Sequence, residues 1–321
     1  MSMLPVRNPR TGEWDHEIPV CSAEDVASIT RSLRAAQSHW VELGASGRAG
    51  CLNRFADAVM AEAAPLGRAL AIDTGRSTFA HFEAIKSVEL IRMWAERAGP
   101  ILDNLAASGQ SGQVPAVHYE HRLIPYEVVA VISPWNVPLL LAMIDSLAAL
   151  SAGCAVVLKP SEVTPRFIEP LQRALDTVPE LAAVLRIVTG GPETGQAMIE
   201  QVDAVCFTGS VRTGRVVSQQ AASCFIPAFL ELGGKDPAIV LPDADIPLAA
   251  RCIEGGAQVL KHNGEPLTQA NIGNVLATRD LMADMRAADP FRQGGGKPFG
   301  KADRSRFLDA LERALRASQR G

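Results

Sequence analysis

The sequence predicts an α/β protein: a doubly wound parallel sheet preceded by N-terminal helices and followed by an irregular C-terminal remnant. Three observations point there. From Val128 onward, short β-branched runs alternate with longer stretches of helical periodicity. Those runs are apolar throughout, as strands buried on both faces are. Upstream of them, apolar residues recur at helical spacing.

In chain order, Val26, Ile29, Leu33, Ala36 and Trp40 mark a helix over 23–40, and Leu52, Phe55 and Val59 one over 47–73. A third helix is expected over 79–98. The stretch "GPILDNLAASGQSGQVPAV" that follows has no periodicity and reads as a connection. Strands are then expected at 128–132 ("VVAVI"), 155–159 ("AVVLK"), 185–190 ("LRIVTG"), 204–209 ("AVCFTG"), 228–232 ("AFLEL") and 237–241 ("PAIVL"), with helices between the earlier ones. A last helix, 246–260, closes a first domain over 1–260. The remainder, 261–321, is irregular until an amphipathic helix over 303–318 with Phe307, Leu308, Leu311 and Leu315 on one side. From Arg292 to the end there are eight Lys/Arg against three Asp/Glu, and the sequence favours a solvated basic helix end over a binding arm.

With 47% hydrophobic and 21% charged residues and a net charge of −4, the composition is globular and gives no electrostatic ground for a nucleic-acid partner. Six cysteines lie scattered without a CxxC pair, so neither a metal site nor a disulfide framework is expected, and a cytoplasmic location fits. The N-terminus lacks a signal-peptide pattern. The apolar run Val137–Leu158 contains Pro138, Asp145 and Gly153, and reads as a buried helix and strand rather than a membrane span. No membrane partner is expected.

Four motifs sit at expected strand ends, where open α/β sheets bind ligands. In "ISPWN" (Ile132, Ser133, Pro134, Trp135, Asn136), the Asn136 amide can donate to an oxygen that becomes an oxyanion, though such a turn can equally be a structural corner. In "KPSE", Lys159 can reach a ribose hydroxyl or a phosphate. Glu162 can accept from both ribose hydroxyls and would repel a 2′-phosphate, which favours NAD over NADP. The same residues also suit a solvated loop with a helix cap. "FTGSVRTG" spaces Gly209 and Gly214 as GxxxxG, with Ser210 placed to cap a helix whose free N–H groups can hold a pyrophosphate; a plain tight turn is the alternative. "ELGGK" puts Glu231 beside two glycines, where partial burial would make it a general base and exposure would leave an ordinary surface carboxylate.

In this order, and with "NPRTGE" (Asn8–Glu13), "GGPETG" (Gly190–Gly195) and "ELGGKDPAIVLPDADI", these motifs resemble the NAD-dependent aldehyde dehydrogenase superfamily over about residues 5–255. The resemblance implies a Rossmann-like coenzyme domain and NAD-dependent oxidation of a small-molecule aldehyde to a carboxylic acid. It gives Asn136 as oxyanion donor and Glu231 as general base. Lys159, Ser161 and Glu162 would hold the adenosine ribose, and Gly209 and Ser210 the pyrophosphate. Ile132, Ser133, Pro134 and Trp135 would wall the cleft, with Gly191 contributing from the "GGPETG" turn. It also implies an oligomerisation hairpin around 110–124, hence a homo-oligomer.

The family's nucleophilic cysteine is expected some thirty residues after Glu231, in an Asn-Gly-Gln-Cys context. Here the sequence reads "HNGEPLTQ", in which Asn263-Gly264-Glu265 reads as a remnant of that run while Pro266 and Leu267 cannot replace a thiolate, and no cysteine follows Cys252. Cys252 falls in an expected helix and reads as a packing residue rather than a nucleophile. Glu127 stands where the family usually has glycine. The run "KPFGKADRSRF" (Lys297–Phe307) is similar to a stretch near the family's C-terminus, which would fit an internal deletion. The expectation is a chain that keeps the coenzyme-binding half and lacks the covalent step. The alternative is a non-catalytic NAD-binding or oligomeric scaffold module.

Overall fold

The computed structural model describes residues 2–105, 107–114, 116–234, 246–261, 263–278 and 300–318. The chain divides into two units, Met1–Gly233 and Gly234–Gly321, so the division falls earlier than the seam at 260 read from the sequence.

Unit 1 opens on an antiparallel hairpin, β1 (Met3–Arg7) and β2 (Trp14–Pro19), which the sequence reading did not contain. It buries only Val6 and Ile18, and its turn is held by Asn8 Oδ1 accepting from the Arg10 N–H. Helix α1 (Ala23–Glu42) starts at a capping box in which Ser22 and Asp25 satisfy one another's backbone N–H. The expected helix over 47–73 is two, α2 (Gly44–Ala61) and α3 (Ala63–Thr74), broken at Glu62. Helix α4 (Ser77–Leu105) runs on through Pro100 into the stretch expected to be a connection. A short hairpin follows, β3 (Ala107–Gln110) and β4 (His118–His121).

The core of the unit is a five-stranded parallel sheet of β5 (Val128–Ile132), β6 (Ala155–Lys159), β7 (Leu185–Ile187), β8 (Ala204–Gly209) and β9 (Ala228–Leu232). Its order, β7-β6-β5-β8-β9, is doubly wound, with the direction of winding reversing at the β5/β8 pair. The connecting helices are α5 (Pro138–Ala152), α6 (Ile168–Asp176) with the short α7 (Pro179–Ala182), α8 (Pro192–Ile199) and α9 (Val211–Ser223). Helix α5 packs on α4 and α2, whereas α1 packs on α8 and on β5, β6 and β7. The first four residues of β5 and all of β6 are buried, which is why both read as continuous apolar runs. The expected strand at 237–241 lies outside the described residues.

In unit 2, α10 (Ile246–Glu254) stops at Gly255-Gly256 rather than reaching 260, and Gly256 has φ +82°. The next strands, β10 (Val259–Leu260) and β11 (Pro266–Leu267), form an antiparallel pair. A helix α11 (272–278) and the final α12 (Lys301–Ser318) complete the unit. Among the described residues its core is small: Ala249, Ile253, Val259 and Leu267, with Cys252, Ile272 and Val275 against it. On α12 it is Ala310 that is buried, while Leu308, expected on the apolar side, is 52% exposed.

Candidate coenzyme site

Strand register brings the motifs together. Ile132 at the end of β5 pairs with Lys159 of β6 and Phe207 of β8; Thr208 of β8 pairs with Glu231, and Gly209 with Leu232, of β9. All these carboxyl ends open on one cleft of about 720 Å³ at the winding reversal. It is lined by Ile132, Ser133, Pro134, Trp135 and Asn136 from the first motif and Lys159, Ser161 and Glu162 from the second. Gly209, Ser210, Glu231, Leu232 and Gly233 contribute from the far side. Gly191 is the one expected site residue that is not on the wall. It caps the start of α8, and Pro192, Gly195, Gln196 and Ile199 of that helix face the cleft instead. Thr213, Val216, Val217 and Gln220 of α9 also line it. The sequence placed a helix after the "FTGSVRTG" motif but gave no sign that one of its faces lines a cleft.

Lys159 is 4% exposed, and its Nζ lies 3.2 Å from Glu162 Oε2. A buried ammonium held by one half-exposed carboxylate keeps further donors for a ligand. Ser161 Oγ accepts from the Val163 N–H, and Thr164 donates through Oγ1 to the Trp135 carbonyl, tying the two loops together. Ser133 is 5% exposed, and its hydroxyl has no partner among the described residues. Ser210 caps α9, taking the Thr213 N–H at 3.1 Å. The earlier first-turn N–H groups of α9 have no partner within the helix, and the helix dipole favours negative charge beside them. Asn136 is exposed, with no side-chain partner among the described residues; its carbonyl accepts from Arg76. Glu231 is exposed too, so unit 1 does not supply the partial burial on which the general-base reading rests.

No thiol of unit 1 stands out as a nucleophile. Burial pushes Cys154 up to about 11, and burial followed by the charge of Asp145 pushes Cys206 up to about 12. Both thiols ionise in the unfolded chain near 9.0, before they do so in the fold. The stability they confer is therefore whole below that pH and is lost as pH rises through 11 and 12. Urea unfolding should show a falling midpoint between pH 8 and 10 that is flatter in Cys206→Ala; an equal slope in both proteins would refute this assignment. Cys252 packs against the small core of unit 2, as expected. Asn263 and Gly264, read as the trace of the nucleophile loop, form the hairpin turn between β10 and β11. Asn263 Oδ1 accepts from Glu265 N there, and Gly264 adopts φ +82°. Among the described residues there is no cluster of metal-ligating side chains, and no helix is long and apolar enough to cross a membrane.

The aldehyde dehydrogenase family model matches residues 2–267, most of the chain. The chain belongs to the aldehyde dehydrogenase family. The chain is 34% identical over 254 residues to geranial dehydrogenase of Castellaniella defragrans, covering 77% of this chain and 52% of that protein. It is 32% identical over 332 residues to the 3,6-anhydro-alpha-L-galactose dehydrogenase of Streptomyces coelicolor, covering 99% and 66%. The Anabaena variabilis protein PutA superposes with a TM-score of 0.72 at 47% identity, over 80% of this chain and 54% of that one. Betaine aldehyde dehydrogenase from Staphylococcus aureus, solved in complex with NAD+, gives 0.69 at 28%, over 82% and 52%. The chain spans half to two-thirds of the length of these relatives.

A second family model, an uncharacterized family named YaiI/YqxD, matches residues 236–317. In keeping with it, 77 residues of the chain are 82% identical to a UPF0178 protein of Roseobacter denitrificans, covering 51% of that protein. The two family matches overlap over residues 236–267, and only the second continues beyond them. The run Lys297–Phe307 lies inside the second match, which supplies an account of it other than an internal deletion.

Proposed function

We propose that unit 1 is a coenzyme-binding module that takes NAD in preference to NADP and, in this chain, performs no covalent aldehyde oxidation. The observation that carries the reading is the pair at the cleft mouth of a buried Lys159 and a partly exposed Glu162. The ammonium gives the ribose a donor, and the carboxylate gives it an acceptor and opposes a 2′-phosphate. The α9 N-terminus takes the pyrophosphate, and Trp135 and Pro134 cover a ring face. When bound, the dinucleotide supplies a hydride acceptor. Asn136 then offers its amide to a carbonyl oxygen, while a thiolate to attack that carbonyl is missing, since no cysteine follows Cys252.

Competition of NADP against bound NAD tests the specificity. NAD should win in the wild type, and Glu162→Gln should narrow the preference by about tenfold, the worth of one like-charge contact. Equal affinity for both coenzymes in the wild type would sink the assignment. Incubation with NAD and a panel of aldehydes should form no NADH, and mass mapping should find no thiol adduct. Turnover lost in Glu231→Gln would overturn the inactive reading.

A second reading, a homo-oligomeric scaffold, is supported by the β3–β4 hairpin and its flank. Val114, Val117, Tyr119, Leu123 and Ile124 lie exposed there, Ile124 at 88%. Light scattering decides it, with a clean monomer counting against it. Six free cysteines support a reducing, cytoplasmic compartment.

A further inference from the structure

Helix α5 begins directly after the Asn136 turn, and its N-terminus has an unusual set of partners. Its N-cap residue, Val137, offers no side-chain cap, and Pro138 at the first position has no N–H. The next two N–H groups, of Leu139 and Leu140, both donate to Glu83 Oε1, at 2.8 and 3.1 Å. Leu141 N–H then begins the helical ladder by donating to the Val137 carbonyl. Every N–H at this helix start is thus accounted for, two of them by a carboxylate from α4 that is 1% exposed.

We propose that Glu83 is the positioning residue of the coenzyme cleft: a cap supplied from another helix that fixes the Trp135–Asn136 turn and closes the α5 N-terminus to ligand anions. Three helix N-termini border the cleft: those of α5, of α8, which starts at Pro192, and of α9. With α5 closed by Glu83, an anionic ligand is directed away from it, and at α9 Ser210 takes only the Thr213 N–H of the first turn. The turn itself is gripped twice, by Glu83 of α4 at Leu139 and Leu140 and by Arg76, the residue before α4, at the Asn136 carbonyl. The α4 positions explain the spacing. Ala80, Ala84, Ser87 and Val88 pack in the same buried stripe as Glu83, so the carboxylate comes from a helix with no freedom to move away.

The affinity arm of the test rests on the coenzyme reading above; the second arm does not. In the full chain, Glu83→Ala should weaken NAD binding by about tenfold, the loss of a cap. It should also speed amide exchange at Leu139 and Leu140 selectively. Glu83→Gln keeps an oxygen for both N–H groups and should restore both readouts to within about twofold of wild type. Unchanged affinity and exchange in Glu83→Ala would overturn the proposal, as would a Glu83→Gln protein as impaired as the alanine variant. If Glu83→Ala fails to fold, protected Leu139 and Leu140 amides with wild-type affinity in Glu83→Gln support the proposal, and exchange-labile ones refute it. A wild-type protein that never binds NAD defeats the coenzyme reading, while amide exchange still decides the role of Glu83.

Discussion

Arg166→Met is expected to destabilise unit 1 by about 3–5 kcal/mol, the cost of breaking a buried ion pair from one side. The Arg166 guanidinium, 10% exposed, bonds to Asp73 and to Asp15, and the Asp73 side chain is 1% exposed. Removing the cation leaves a carboxylate in the interior with only the Arg166 backbone N–H, 2.9 Å away, to hold it. Burial already raises the pKa of Asp73 in the native protein, and without its cation the group must take a proton to stay inside. The paired replacement Asp73→Leu with Arg166→Met removes both charges and should recover most of the loss, since an apolar pair of similar volume needs no desolvation. Urea unfolding of the three proteins measures this; a double variant as unstable as the single one would refute the assignment. Arg166 also ends the loop that starts at Lys159, so the single variant should lose coenzyme affinity together with stability.

Gly190→Ala is expected to cost about 3 kcal/mol, from a backbone that only glycine adopts readily plus a steric conflict. Gly190 has φ +147°, and an added Cβ would lie 2.1 Å from Thr194 Oγ1 and 2.9 Å from Thr194 Cβ. Thr194 is 3% exposed and donates to the Cys21 carbonyl, while Cys21 N–H donates to the Thr189 carbonyl. The turn therefore fastens the chain before α1 to the end of β7, and it has no room to give. Gly50→Ala, on α2 with nothing within 4 Å of the added Cβ, should instead stabilise by up to about 1 kcal/mol. Melting temperatures that move in the same direction for both would contradict the account.

Burial on both faces made the inner strands legible as apolar runs, and "VVAVI", "AVVLK" and "AVCFTG" match β5, β6 and β8 residue for residue; "AFLEL" matches β9 too, although Phe229 and Glu231 of that edge strand are exposed. The β1–β2 hairpin was not, because two buried side chains, Val6 and Ile18, leave too little alternation to notice. The break at Glu62 was invisible because apolar spacing continues across it from Val59 to Leu66. The third helix was ended at 98 because periodicity stops there, whereas the structure continues through Pro100 to Leu105, the proline sitting in the last exposed turns.

For the cleft, residues at strand ends could be placed from the motifs, since register alone aligns Ile132, Lys159 and Phe207. Glu83, Asp73 and Arg76 could not. Their partners are backbone atoms or charges dozens of residues away, and a single Glu or Arg in a helical stripe carries no sign of such a partner. Counting from Glu231 reached "HNGEPLTQ", which holds no cysteine, but the local structure there was not legible. Asn263-Gly264 forms a hairpin turn in the stretch where the two family matches overlap.

The central claim is that the cleft of unit 1 holds a nicotinamide dinucleotide through Lys159. Isothermal titration of the full chain with NAD, wild type beside Lys159→Met, tests it directly. One saturating site per chain, weakened by about tenfold or more in the variant as a lost charged hydrogen bond requires, is the predicted result. No binding in the wild type at millimolar NAD, or equal affinity in the two proteins, would contradict it.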